Sequence, residues 1–147
     1  MVMHRSHLLP KGRFSEPGRA YLVTTVTRGR EQLFADWRLG RVVVQEVAAL
    51  PMESLAWVRM PDHLHWLLVL GEEDLGTLVR TLKSRSAIAV NCALGRTGSV
   101  WQKGYYDHAV RVEEDLRAVA RYVVANPVRA GLVTRVGDYP LWDAIWL

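Results

Sequence analysis

The stretch "MPDHLHWLLVL" (Met60–Leu70) holds two histidines, His63 and His65, one residue apart at the mouth of an apolar run. On a strand, residues two apart leave the same face, so these imidazoles would project together, roughly 7 Å apart. Leu64, Trp66, Leu68 and Leu70 would take the other face, while Leu67 and Val69 carry the histidine face into apolar territory. Side-by-side imidazoles repel when both are protonated, and a divalent cation removes that repulsion by taking both as neutral ligands. The same pattern also suits two histidines satisfied by backbone partners, and two imidazoles alone do not complete a metal site.

A second constellation lies in "RYVVANPV", where Tyr122 and Asn126 are four apart and would stack on one face of a helix. Leu116, Val119, Ala120 and Val123 form the core stripe of that helix, Tyr122 and Asn126 its shoulder, and Arg117 and Arg121 point away. Asn126 precedes Pro127, at an expected helix end where its amide oxygen is free to turn outward. One reading makes Asn126 complete a metal site, with Tyr122 beside it as nucleophile. A phenol of pKa about 10 is a poor nucleophile, but it can attack phosphorus when a metal polarises the phosphate. The other reading is a tyrosine packed on a sheet and an asparagine closing a helix. Tyr105 and Tyr106 lack a polar partner at helical spacing, so packing or base stacking suits them better. Asp62 either orients His63 through a hydrogen bond or serves as a turn residue.

The elements that must position these residues follow from periodicity. "YLVTTVT" (Tyr21–Thr27) is β-branched and reads as a strand. Asp36–Leu50 has apolar residues at helical spacing and is closed by Pro51. Ser54–Met60 and Leu64–Leu70 read as strands joined at Pro61-Asp62. A second helix carries Leu75, Leu78, Val79, Leu82 and Ile88 on one side, and the loop "GRTGS" follows it. An extended stretch, "VWQKGYYDHAVRV", leads to a third helix from about Glu113 to Asn126, with Glu113, Glu114 and Asp115 complementing its dipole and Pro127 marking its end. The tail with two tryptophans is expected to pack back on the body. The β-α-β-β-α-β order predicts an α+β fold, one antiparallel sheet covered by helices in the ferredoxin-like split arrangement. Residues 1–20 read as an irregular basic arm and 21–147 as a single domain.

The 147 residues suit one domain with a real core. No apolar run reaches the ~18 residues of a membrane span, the N-terminus is too polar for a secretory signal, and Cys92 alone excludes a disulfide framework. A cytosolic location is the expectation. The net charge is +4, from 19 basic and 15 acidic residues, and arginine dominates. Arginine binds phosphate bidentately, so the bias is compatible with a nucleic-acid partner, which Arg5, Arg13, Arg19, Arg28 and Arg30, with Arg80, Lys83 and Arg85 on the second helix, are placed to contact. A GC-rich coding genome would produce the same arginine bias, and a solvated surface the same placement.

"MPDHLHWLL", "VWQKGYYDHAVR" and "YVVANPVRAGLV", in this order and spacing, resemble the IS200-type single-tyrosine transposases, and within them the REP-associated tyrosine transposases; "YLVTTVTRGREQLF" fits the family's first strand. The resemblance runs from Tyr21 to about Val133. It implies a ferredoxin-like fold of the HUH endonuclease type, with His63-Leu64-His65 as the histidine–hydrophobe–histidine motif. It further implies a divalent metal, Mg²⁺ or Mn²⁺, held by His63, His65 and Asn126. IS200-type elements generally carry glutamine at that last position, so Asn126 favours the REP-associated branch. Tyr122 is the implied nucleophile, forming a 5′-phosphotyrosine link and freeing a 3′-hydroxyl. The implied partner is a single-stranded, REP-like DNA hairpin, bound by a monomer or homodimer in the cytoplasm at the nucleoid. Two rivals remain: a hairpin-binding regulatory protein of the same fold that no longer cleaves, and a metal hydrolase in which His63 and His65 activate water.

Overall fold

The computed structural model describes residues 2–4, 16, 18–110, 116–135, 139 and 142–144. Its strands are β1 (Val2–His4), β2 (Ala20–Val26), β3 (Glu53–Met60), β4 (His63–Val69), β5 (Tyr105–Ala109) and β6 (Trp142–Ala144). They form one sheet in the order β1-β5-β2-β4-β3-β6, antiparallel at every pairing. The helices are α1 (Trp37–Ala48), α2 (Leu75–Leu94), α3 (Leu116–Val124) and the short α4 (Asn126–Arg129). The inner strands β5-β2-β4-β3, with α1 and α2 as crossovers, are the expected ferredoxin-like split unit.

Local chemistry sets the boundaries. Asp36 caps α1 by accepting the Arg38 N–H at 3.0 Å, and Asp74 caps α2 by accepting the Thr77 N–H at 3.0 Å. Gly95 ends α2 in the left-handed region at φ +64°, where a side chain would be strained. Pro61 and Asp62 turn β3 into β4, pairing Met60 with His63 and Val58 with His65.

Alternation along the strands divides the core in two. Tyr21, Val23, Leu64, Trp66 and Leu68 face α1 and α2, packing with Phe34, Val43 and Leu78. Leu22, Val58, Met60 and Leu67 face the other way, under Ala120, Val123 and Val124 of α3. β2 is buried along its whole length, as a central strand covered on both faces must be.

Three expectations are corrected. Residues 1–19 are not irregular throughout, because Val2–His4 pair with the open edge of β5 and so satisfy their backbone groups. Arg5 and Arg13 lie outside the described residues, as do Glu113, Glu114 and Asp115. Pro127 does not end the helical path: it stands in the first turn of α4, where a missing N–H costs nothing. Ile88 is not in the core but 69% exposed; the inward position goes to Ser86, whose hydroxyl donates to the Leu82 carbonyl and accepts the Trp101 indole N–H. The tail packs back as expected, with Trp142–Ala144 paired to β3.

Candidate functional site

His63 and His65 leave β4 on the α3 face of the sheet, as alternation requires, and their rings meet edge to face with centroids 4.7 Å apart. The two Nε2 atoms lie 3.2 Å from each other. Each Nδ1 is taken by a different neighbour. Asp62 Oδ1 lies 2.6 Å from His63 Nδ1, and Thr24 Oγ1 lies 2.8 Å from His65 Nδ1. A carboxylate only accepts, so the His63 Nδ1–H donates to Asp62, which turns Nε2 toward His65.

That geometry suits a cation. Two nitrogens about 2.1 Å from a metal and about 90–100° apart are separated by about 3.0–3.2 Å. Imidazoles whose outer nitrogens are pinned by a carboxylate and a hydroxyl are held in the orientation that ligands need. Among the described residues no group of three His, Cys, Asp or Glu side chains is placed to hold a metal, so the histidine pair stands there without a third ligand of those types.

The electrostatics follow the placement. Burial, reinforced by the neighbouring His63 and by Arg129, pushes His65 down to about 3, so it is neutral over the ordinary pH range. Burial would raise the Asp62 carboxyl, but the hydrogen bond and charge of His63, with Arg30 bonded at 3.2 Å, hold it below the usual range. Thr27 fixes the backbone here, its N–H and hydroxyl both donating to the Asp62 carbonyl at 2.9 and 3.1 Å.

Tyr122 and Asn126 reach the same side of the sheet. α3 packs on β3 and β4, and α4 touches β3. Tyr122, near the end of α3, is 58% exposed, while Asn126 opens α4 half-buried. The Ala125 N–H still bonds the Arg121 carbonyl at 3.0 Å, carrying the helical path across the junction between them. Tyr105 is buried in the core that α1 and α2 cover, at 5% exposure, which suits packing.

Sequence reasoning missed two residues. Thr24 meets His65 only because β2 and β4 pair in that register. Arg129 lies with its guanidinium carbon 3.8 Å from the Tyr122 ring centroid. Its place three after Asn126 in "NPVRAG" was the available signal.

The basic candidates divide. Arg19 pairs with Glu16 at 3.5 Å, and Arg30 with Asp62. Arg28, Arg80 and Arg85 are exposed. Arg80 and Lys83 line a groove of about 380 Å³ between α2 and residues 99–104, with Trp101, Gln102 and Lys103. Burial brings Lys83 down to about 8, and its ammonium donates to the carbonyls of Gln102, at 2.9 Å, and Gly104.

The comparisons with known proteins point one way. Residues 18–126 match the family described as transposase IS200 like. A REP-associated tyrosine transposase of Escherichia coli K12 is 36% identical over 92 residues, 61% of this chain and 53% of that protein. The chain spans about half the length of the curated relatives it matches. A solved REP-associated tyrosine transposase bound to a REP hairpin superposes with a TM-score of 0.72 at 28% identity, over 92% of this chain and 82% of that one. A second solved structure, from Deinococcus radiodurans, shares the fold at 24% identity with a TM-score of 0.53, over 80% of this chain and 97% of the other. Among the described residues no helix is long and apolar enough to cross a membrane. With a matched segment covering most of the chain, and with relatives of the REP-associated kind, the chain belongs to the IS200-like transposase family.

Proposed function

We propose that this chain is a single-strand DNA endonuclease and strand transferase that cuts beside a REP-like hairpin through Tyr122. The observation that carries this reading is the convergence of the His63 and His65 Nε2 atoms, 3.2 Å apart, on the face of the sheet that α3, the helix bearing Tyr122, covers. His63, His65 and the amide oxygen of Asn126 would hold a divalent cation, Mg²⁺ or Mn²⁺. When bound, such an ion polarises the phosphate and offsets the charge that develops on it.

The chain's own residues do the rest. Asp62 and Thr24 hold both imidazoles in one orientation, and the carboxylate keeps the His63 hydrogen on Nδ1. Tyr122 Oη forms a bond to phosphorus as the bond to the 3′-oxygen breaks. The phenolic proton passes to solvent, to which the exposed side chain is open, and the departing 3′-oxygen takes a proton from solvent in turn. The products are a 5′-phosphotyrosine link and a 3′-hydroxyl, and attack by a 3′-hydroxyl reverses the step. Because one phosphodiester replaces another, no external energy is needed.

Arg28, Arg80, Arg85 and the groove of Arg80, Lys83 and Lys103 are the described surfaces proposed to carry the DNA backbone, with Lys83 also tethering the groove's loop. Arg5 and Arg13 belong to the same proposal from the sequence alone. The working place is the cytoplasm, at the nucleoid.

The experiment is intact mass after incubation with a REP-like hairpin oligonucleotide and Mn²⁺, comparing wild type with Tyr122→Phe and His63→Ala. A DNA-sized increase in wild type alone is expected. Cleavage without an adduct, persisting in Tyr122→Phe, would replace this reading with a water-activating hydrolase. Tight hairpin binding with neither cleavage nor adduct would leave a binding protein.

A further inference from the structure

Arg129 touches Tyr122 twice. Its guanidinium carbon lies 3.8 Å from the centroid of the Tyr122 ring, and its NH2 donates to the Tyr122 backbone carbonyl at 2.6 Å. The second contact has a plain cause. The last carbonyls of a helix lack intrahelical partners, and the break between α3 and α4 brings an arginine one short turn later back over one of them. The first contact lays a delocalised cation on a π face, a geometry available to the flat guanidinium. Backbone and ring of one residue are thereby held by one side chain.

The rest of the surroundings give Tyr122 little support. The side chain is 58% exposed, so the core does not fix its ring. An exposed aromatic without a neighbour samples several rotamers, whereas a nucleophile needs its oxygen held in line with the bond it breaks. Arg129 is also close enough to the histidine pair for its charge to act on His65. Among the described residues no carboxylate forms an ion pair with it, unlike Arg19, Arg30, Arg38 and Arg96. Among the described residues nothing acidic competes with the tyrosine for the guanidinium.

We infer that Arg129 is the positioning residue for Tyr122: its guanidinium, stacked on the ring and bonded to the carbonyl, holds the phenol oriented toward the His63–His65 pair. This rests on Tyr122 being the nucleophile. A lysine keeps the charge but supplies neither the flat stacking surface nor the fork, so charge and positioning separate experimentally.

The test uses the full chain with a REP-like hairpin oligonucleotide and Mn²⁺, comparing wild type, Arg129→Lys and Arg129→Ala. The adduct rate at saturating DNA is expected to fall about 100-fold in Arg129→Ala and at least about 10-fold in Arg129→Lys, the scale of a small misplacement of a reacting group. Hairpin affinity in Arg129→Lys should stay within about 3-fold, because its charge is kept. A DNA-free readout accompanies this: the Tyr122 ring resonances, assigned through Tyr122→Phe, should move in both variants while the Asn126 amide stays in place in Arg129→Lys. A lysine variant with the wild-type rate would overturn the inference and reduce Arg129 to a charge. Unmoved ring resonances would overturn it as well. Should wild type itself form no adduct, the nucleophile reading fails, and the resonances still report whether Arg129 orders the ring.

Discussion

Thr24 Oγ1 lies 2.8 Å from His65 Nδ1, the ring nitrogen on the far side from His63. The two residues are direct partners across the β2–β4 pairing, so the sheet's register aims the second imidazole. Asp62 does the same for His63 from the hairpin turn. The pair is therefore set by one long-range and one adjacent partner.

Replacing Thr24 by valine keeps the shape and removes the hydroxyl. Mn²⁺ affinity, measured by calorimetry, should fall about 10–100-fold, the usual effect of losing a group that orients a ligand. Stability should change by only about 1 kcal/mol. Unchanged Mn²⁺ affinity would show that Thr24 does not orient His65.

His65 gives a pH dependence of definite sign. Its folded value, about 3, lies below its ordinary 6.5, so between those limits the unfolded chain holds a proton that the folded chain does not. Stability is full above about pH 6.5 and is lost as pH falls toward the folded value. In EDTA, wild type should lose up to about 2 kcal/mol between pH 7 and pH 5 relative to His65→Gln, read from urea midpoints. Parallel pH profiles for the two proteins would mean that His65 protonates without penalty.

Arg59 is a fully buried cation whose three guanidinium nitrogens have no hydrogen-bond partner among the described residues. It leaves β3 toward α1, with its guanidinium carbon 5.7 Å from the Phe34 ring centroid and Gly40 beside it. Burial brings it down to about 10. Replacing an unpaired buried charge by an apolar side chain of similar length removes a desolvation penalty, so Arg59→Met should be neutral or gain up to about 4 kcal/mol in urea unfolding. Gly40→Ala should instead lose about 1–3 kcal/mol, since the added Cβ falls on the guanidinium. A clear loss in Arg59→Met would mean that the Phe34 contact outweighs desolvation.

Ser86 is the polar hinge of the α2 packing, receiving the Trp101 indole N–H at 2.9 Å inside the core. Ser86→Ala strands that buried donor and should lose about 1–3 kcal/mol in thermal or urea unfolding. If the loss stays near the few tenths of a kcal/mol of a surface change, the Trp101 N–H has another partner.

Much of this protein is legible in local chemistry. The β-branched run at Tyr21–Thr27, the Pro61-Asp62 turn and the capping aspartates at 36 and 74 mark their own elements, because each depends on neighbours a few residues away. Where the reading failed, distant partners decided. Ile88 fits the helical stripe, yet the buried Trp101 needed an acceptor and Ser86 supplied it. The chain at Pro127 reads as a stop, but the path turned into a second short helix.

The sequence by itself determined that His63 and His65 share a face, because strand geometry has a period of two; it placed Tyr122 and Asn126 on one helix, where the structure divides them between α3 and α4. It also determined the β-α-β-β-α-β order, through periodicities that are properties of adjacent residues. Only the tertiary structure decided that Thr24 pins His65, that Arg129 lies on Tyr122, that Arg59 fills the room left by Gly40, and that Val2–His4 and Trp142–Ala144 edge the sheet. Each of these joins residues through strand register, a chain break or interior space, and none of those quantities exists until the whole chain has packed.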